Sequence, residues 1–317
     1  MTTPQPMFTE ATLDALIREA DTIRPVPRAK HATTEFREFH GWTLNKLDVL
    51  ALYFTLYRRV AGGGAFIDAF AGTGHGTQLV NGVARRRDGS SLIAARAGAF
   101  AQLHLIEKDL GNAQLLESAT TTLARAQAAK ITIHNHDCND AIPDLIASGA
   151  LDPEKPCFVL LDQESTQLSW TTIETLAAFK HYEPPPSLRG RPKQCKAELW
   201  ILFNTQHAIA RMWPRDRRRH TLPPGAATLD RVFGGRDAWI DLWEQNQPSS
   251  FLRHRYGERL RDLGYQYVLH QPINDPRTGT TQYHMIHATD HPSAVSFMRW
   301  AKSETSAGTD GVALPGI

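Results

Sequence analysis

Apolar and polar positions follow two rhythms along the chain. Short apolar runs at 65–70, 103–107, 131–134, 158–162 and 199–203 have the length of buried strands, and helical or turn-rich stretches separate them. Runs that are apolar on both faces need covering from both sides, so this succession predicts a parallel sheet with helices on each face. Two more strand-like runs, 265–273 and 281–289, flank the turn-forming stretch Asn274-Asp275-Pro276-Arg277-Thr278-Gly279 and predict a terminal hairpin.

The second rhythm is helical. Thr43 is a candidate cap for a long amphipathic helix whose apolar side is Leu44, Leu47, Leu50, Leu52, Phe54 and Leu56, stopped by Gly62-Gly63-Gly64. Before it, residues 1–41 read as an extension: a short helix capped by Thr9, with Leu13, Leu16 and Ile17 on one face, then a Pro-rich basic connector at 24–30. Thr171 with Glu174 three residues on predicts a capping box, with Ile173, Leu176 and Ala177 facing the sheet. Leu229, Val232, Phe233, Trp239, Ile240, Leu242 and Trp243 make an aromatic helical region outside the alternation. The expected organisation is an extension (1–41), a Rossmann-like core (42–205), a basic segment with a helical insert (206–264), a hairpin and helix completing the core (265–302), and a disordered tail (303–317).

Composition narrows the class. The 317 residues are 41% hydrophobic and 21% charged, a globular balance that excludes collagenous and wholly disordered chains. No apolar run reaches membrane-spanning length, and the N-terminus lacks a basic region followed by an apolar one, so neither membrane insertion nor secretion is expected. Cys138, Cys157 and Cys195 form no paired motif and predict reduced thiols in a cytoplasmic protein. The net charge of +2 says little, but between 184 and 220 basic residues exceed acidic ones by seven. Arg217, Arg218 and Arg219 end that concentration. It is either a solvated loop or the footprint of a phosphate-bearing partner, of which nucleic acid is the leading class.

Candidate chemistry sits at the ends of the apolar runs. Phe66-Ile67-Asp68-Ala69-Phe70-Ala71-Gly72-Thr73-Gly74-His75-Gly76 is a strand that ends in an acid and opens into a glycine-rich turn. Its glycines miss the dinucleotide spacing, and Asp68 would stand beside a pyrophosphate. S-Adenosylmethionine carries no phosphate and presents a cationic ammonium and sulfonium, so a carboxylate there is favourable. Asp68, Phe70, Gly72, Thr73 and Gly74 are therefore candidate donor-binding residues. Glu107 ends the next strand, where a carboxylate can accept both ribose hydroxyls; Asp109 competes with it. The 35-residue gap from Gly72 requires a helix or loop insertion near 83–91. Asp137 is the candidate adenine contact, or alternatively a helix cap, and no metal-ligand spacing accompanies the neighbouring histidines. At the end of the fourth run, Asp162 and then Glu164 are candidates to take a proton or hydrogen bond from an attacking amine or hydroxyl. Trp170 could stack on a planar substrate or pack in the core.

Taken in order, these motifs resemble the three-Cys-motif partner family, whose members are similar to class I methyltransferases. Trp42-Thr43 with Lys46, 67–74, Gly89-Ser90-Ser91-Leu92-Ile93-Ala94, Ile106-Glu107-Lys108, Leu161-Asp162, Trp170 with Ile173, Trp200-Ile201-Leu202-Phe203, Phe233-Gly234 before Trp239, and Tyr283-His284-Met285-Ile286 carry the resemblance over about 42–302. It implies a mostly parallel Rossmann-like sheet with an antiparallel terminal strand, a donor pocket at Asp68, Gly72, Gly74 and Glu107, and a substrate side including Lys46. It also implies a partner protein carrying three cysteines. Where the family tends to have Asp-Pro followed by an aromatic, this chain has Asp162-Gln163-Glu164-Ser165, which removes the rigid carbonyl and stacking surface suited to a flipped base. A methyltransferase acting on nucleic acid is the leading expectation. A non-catalytic nucleoside-binding scaffold and a small-molecule methyltransferase are the alternatives, because one scaffold hosts all three.

Overall fold

The computed structural model describes residues 39, 41–61, 63–80, 83–187, 190–204, 208–214, 221–275 and 278–307. The helix capped by Thr9, the connector at 24–30, Arg217, Arg218, Arg219 and residues 308–317 lie outside the described residues. Seven strands form the main sheet: β1 (Ala65–Asp68), β4 (Gln102–Ile106), β5 (Ile131–His134), β6 (Cys157–Leu161), β7 (Glu198–Phe203), β8 (Tyr267–Asn274) and β9 (Thr281–Thr289). Their spatial order is β5-β4-β1-β6-β7-β9-β8. The first five run parallel, and β9 is antiparallel to both β7 and β8.

The central apolar runs became strands because alternate side chains enter two separate cores, whereas the edge strand β5 packs only Ile131 and Ile133, against one of them. Ile67, Val159, Ile201 and Ile286 point into one cluster, while their chain neighbours Phe66, Phe158, Trp200 and Met285 point into the other. The first layer is covered by α5 (Cys138–Ala147), α6 (Trp170–Phe179), α8 (Ala226–Phe233), α9 (Ile240–Glu244) and α10 (Ser250–Asp262). Against the second lie α1 (Gly41–Ala61), α2 (Ser90–Ala97), α3 (Leu110–Thr120) and α11 (Pro292–Ala307). The short helices α4 (Arg125–Ala128) and α7 (Ala210–Met212) complete the set.

Several details differ from the sequence expectation, each for a local reason. Helix α1 begins at Gly41, so Thr43 lies in its first turn. Ser169 holds the N-cap position of α6, and Glu174 accepts the indole N–H of Trp170 at 2.9 Å, so the capping box around Thr171 does not form. The aromatic helices 226–262 pack directly on the sheet and share its core, joining it through Trp239, Trp243 and Tyr256. Helix α11 extends past residue 302 to Ala307. The insertion expected near 83–91 is a separate antiparallel ribbon, β2 (His75–Val80) with β3 (Val83–Asp88), followed by the start of α2 at Ser90. Apolar runs alone did not mark it, although Asn81-Gly82 between Leu79-Val80 and Val83-Ala84 is a hairpin pattern in the sequence. Finally, β7 cuts the basic segment in two. Lys193 and Lys196 precede the strand and Arg211 follows it, at ends separated by a strand of about 20 Å. Among the described residues of the segment, the basic side chains therefore lie towards opposite ends of β7.

Candidate functional site

Strand order reverses at β1: the chain passes to β4 and β5 on one side, then returns to β6 on the other. Ligands of open α/β sheets bind outside the carboxyl ends of the strands at such a switch point. A cavity of about 530 Å³ opens there, lined by the turn after β1, the ends of β6 and β7, the first turns of α1, and β9.

The turn is shaped by its glycines. Gly72 and Gly74 have φ of +60° and +76°, which L side chains rarely adopt. Around Gly72 a Cβ would meet nothing within 4 Å, so the backbone there faces open space; at Gly74 it would come within 2.9 Å of Leu116. Gly72 thus leaves room for a ligand, and Gly74 leaves room for α3. The Gly72 N–H donates to Glu107 Oε2 at 2.9 Å, and the Asp109 N–H donates to Oε1 at the same distance. Each Glu107 oxygen keeps a lone pair for a further donor. Asp109 itself caps α3 by accepting the Asn112 N–H at 2.8 Å.

Asp68 lies beneath the turn rather than on the cavity wall. It is fully buried and accepts the hydroxyls of Ser90 and Ser91 at 2.7 and 2.8 Å, so it ties the end of β1 to the start of α2. Burial pushes its pKa up to about 6; the two serine hydroxyls pull the other way, and the nearby Asp162 carboxylate adds to the rise. Phe70, Thr73 and Gly74 line the cavity beside Gly72.

Opposite the turn stand Asp162, at the end of β6, and Lys46, one turn into α1. Their side chains form an ion pair, with Lys46 almost wholly buried and Asp162 19% exposed on the cavity wall. The structure thereby brings together a candidate substrate residue and the first catalytic candidate from positions 116 residues apart. Glu164 is exposed at the rim, and its carbonyl accepts from Asn204 at 2.8 Å. Between them Gln163 is buried, and its amide braces the loop. Its Oε1 accepts the Leu168 N–H at 2.9 Å, and its Nε2 donates to the Leu202 carbonyl at 3.2 Å.

Glu107 stands behind the turn and is not itself among the residues that line the cavity, and two further candidates lie elsewhere. Trp170 is 1% exposed in the core, edge-on to Tyr256, with the Arg259 guanidinium 4.5 Å from its ring centroid, and offers no face to a substrate. Asp137 occupies the N-cap of α5 and pairs with Lys108 at 2.9 Å, one strand beyond Glu107 and outside the cavity lining. Sequence reasoning missed Asn204, Gln282 and Tyr283 on the cavity wall; β7 and β9 converge there, and no local motif marks that convergence. The three cysteines are unpaired, and burial pushes each thiol up to about 12, which makes them poor nucleophiles. No cluster suited to a metal ion occurs among the described residues, and no helix among them is long and apolar enough to cross a membrane.

No family model and no curated protein matches the chain, so the three-Cys-motif partner resemblance stands on the sequence motifs alone. Among solved structures it is similar to a protein from Legionella pneumophila, with 9% identity over 86% of this chain and 96% of that one and a TM-score of 0.48. It is also similar to M. jannaschii TYW2 in complex with AdoMet (10% identity, 79% and 76% covered, TM-score 0.38) and to a methyltransferase from Geobacter sulfurreducens (12%, 90% and 89%, 0.37). Likeness at this level carries no substrate or residue role. Setting the β2–β3 ribbon aside, the strands lie in the order third, second, first, fourth, fifth, seventh, sixth, with the seventh antiparallel. The fold is thus the Rossmann-like sheet of class I methyltransferases, with a cavity at its switch point.

Proposed function

We propose that the chain is an S-adenosylmethionine-dependent methyltransferase whose acceptor is a nucleic acid. The observation that carries this reading is the meeting, in one cavity, of an open glycine turn that leads to Glu107 and a buried Lys46–Asp162 pair. The residues fit the donor. Glu107 retains acceptor capacity where ribose hydroxyls would lie, Gly72 admits the ligand against its backbone, and the Asp68 carboxylate beneath the turn sets a negative field near a sulfonium. When bound, the donor supplies an electrophilic methyl group. Asp162 would orient the acceptor amine or hydroxyl and receive its hydrogen bond, with Lys46 fixing the carboxylate's position. Gln163 supports the same reading by restoring, through two side-chain hydrogen bonds, the rigidity that a proline would have given this loop. Arg211, exposed in α7 beyond the carboxyl end of β7, supports a phosphate-bearing acceptor. A partner carrying three cysteines, implied by the resemblance, belongs to the same proposal and is checked by co-purification.

Titration calorimetry with S-adenosylmethionine and S-adenosylhomocysteine tests the donor site. Glu107→Ala should weaken binding at least about tenfold, since hydrogen bonds to a charged group contribute about 1.5–3 kcal/mol each. Labelled-methyl transfer to pooled RNA and DNA should then be lost in Asp162→Asn with donor affinity retained. Absence of donor binding to the unaltered protein would overturn the reading. Tight donor binding with no transfer to any nucleic acid would favour the scaffold reading.

A further inference from the structure

The β2–β3 ribbon leaves the cavity rim at His75 and returns to it at Gly89, both of which line the cavity. None of its described side chains belongs to either core, and it is not joined to the main sheet. Its second strand carries Arg85, Arg86 and Arg87 in succession. In an antiparallel ribbon opposed residues share a face, so the register Gly76↔Arg87 and Gln78↔Arg85 puts Arg85 and Arg87 together on one side with only a glycine and an amide across from them. Arg85 is exposed. Arg87 is one-third exposed, and its partner is Asp48 on α1, itself half exposed, at 2.9 Å. Such a surface pair contributes little to stability and is easily exchanged for a stronger anion. On that side the ring of Phe39, another cavity-lining residue, lies over Gly76, which puts the cavity-side end of this face beside the cavity wall.

We propose that the Arg85–Arg87 face of this ribbon is a docking arm for the phosphate backbone of a nucleic-acid acceptor, placed to hold the strand while one residue of it reaches the cavity. The proposal rests on the nucleic-acid reading of the acceptor. The two guanidinium groups lie two residues apart along a strand, about 7 Å, so each can engage its own phosphate. A strand of phosphates is the polyanion that fits this geometry, because it offers a charge at every step and fork-shaped acceptors for arginine.

The test measures binding of a fluorescently labelled single-stranded RNA of about 16 nucleotides as a function of salt. The same-sequence DNA and a polyglutamate peptide serve as comparators. Arg85→Ala with Arg87→Ala should weaken RNA binding about tenfold and reduce the slope of log K against log salt by about 1.4, two phosphate contacts at about 0.7 each. Arg58→Ala with Arg59→Ala, at the far end of α1, removes the same charge and should leave most of the affinity. Arg85→Glu alone, at an exposed site, gives the same direction if the double variant fails to fold, and titration with S-adenosylhomocysteine reports whether the cavity is intact. Equal loss in both double variants, an unchanged slope in the ribbon variant, or tighter binding of polyglutamate than of RNA would each overturn the proposal. Ribbon-dependent RNA binding without any donor binding would leave the arm standing and remove the methyltransferase reading.

Discussion

Asp68 shows how one residue serves fold and site at once. Its carboxylate is fully buried, and the folded state holds its proton up to about pH 6, whereas the unfolded chain releases it near 3.8. Between those values the native state binds more protons, so stability falls as pH rises through the window and stays lower above it. At about 1.36 kcal/mol per pKa unit, the ionised carboxylate costs about 3 kcal/mol at neutral pH. Asp68→Asn keeps the shape and an acceptor for the serine hydroxyls but carries no charge. Urea unfolding should show it more stable than the unaltered protein at pH 7, by up to about 3 kcal/mol, with the difference vanishing near pH 4. Equal stability at both pH values would mean that the site does not hold a strained charge. The sequence marked Asp68 correctly as the acid that ends β1, but its burial under Ser90 and Ser91 depends on where α2 docks, and no local spacing encodes that.

At the scale of elements, what was legible followed the core. The central strands β1, β6 and β7 were readable because each is apolar on both faces, β4 and β5 because their alternate residues are, and the terminal hairpin because its turn chemistry is local. The β2–β3 ribbon was passed over because it lies outside the strand–helix alternation, although Asn81-Gly82 between Leu79-Val80 and Val83-Ala84 is a local hairpin signal. Trp170 and the Lys46–Asp162 pair make the same point from opposite sides. An indole at the end of the catalytic candidates' loop turned inward, and an ammonium from a distant helix turned towards the site. The loop between β6 and α6 owes its shape to Gln163, whose amide joins Leu168 to the end of β7. Gln163→Ala would strand two buried backbone groups and should cost about 2–4 kcal/mol. It should also slow methyl transfer while leaving donor affinity within about threefold, a split between turnover and binding that calorimetry and steady-state kinetics resolve. A matching loss of donor affinity would place Gln163 in the donor pocket instead of the acceptor loop.

At the scale of the whole molecule, the cavity is where the two cores are tied together. Lys46 and Leu47 reach it from α1, which packs in one layer, while Phe70 packs against the other. Tyr283 enters from β9, at the far side of β7. A ligand held there touches the first, fourth, fifth and last strands of the sheet, so its binding energy should stabilise the native state as a unit rather than one layer of it. At a hundredfold excess over its dissociation constant, S-adenosylhomocysteine should add about 2.7 kcal/mol. For a chain of 317 residues that corresponds to a rise of about 4 °C in Tm. Calorimetry should therefore show a single transition moving upward intact, and Glu107→Ala, weakened tenfold or more, should move by no more than about 2 °C at the same concentration. If two transitions appear and the ligand shifts only one, the layers unfold separately. The cavity would then belong to the layer that moved, and the ends of the strands would not be coupled through the site.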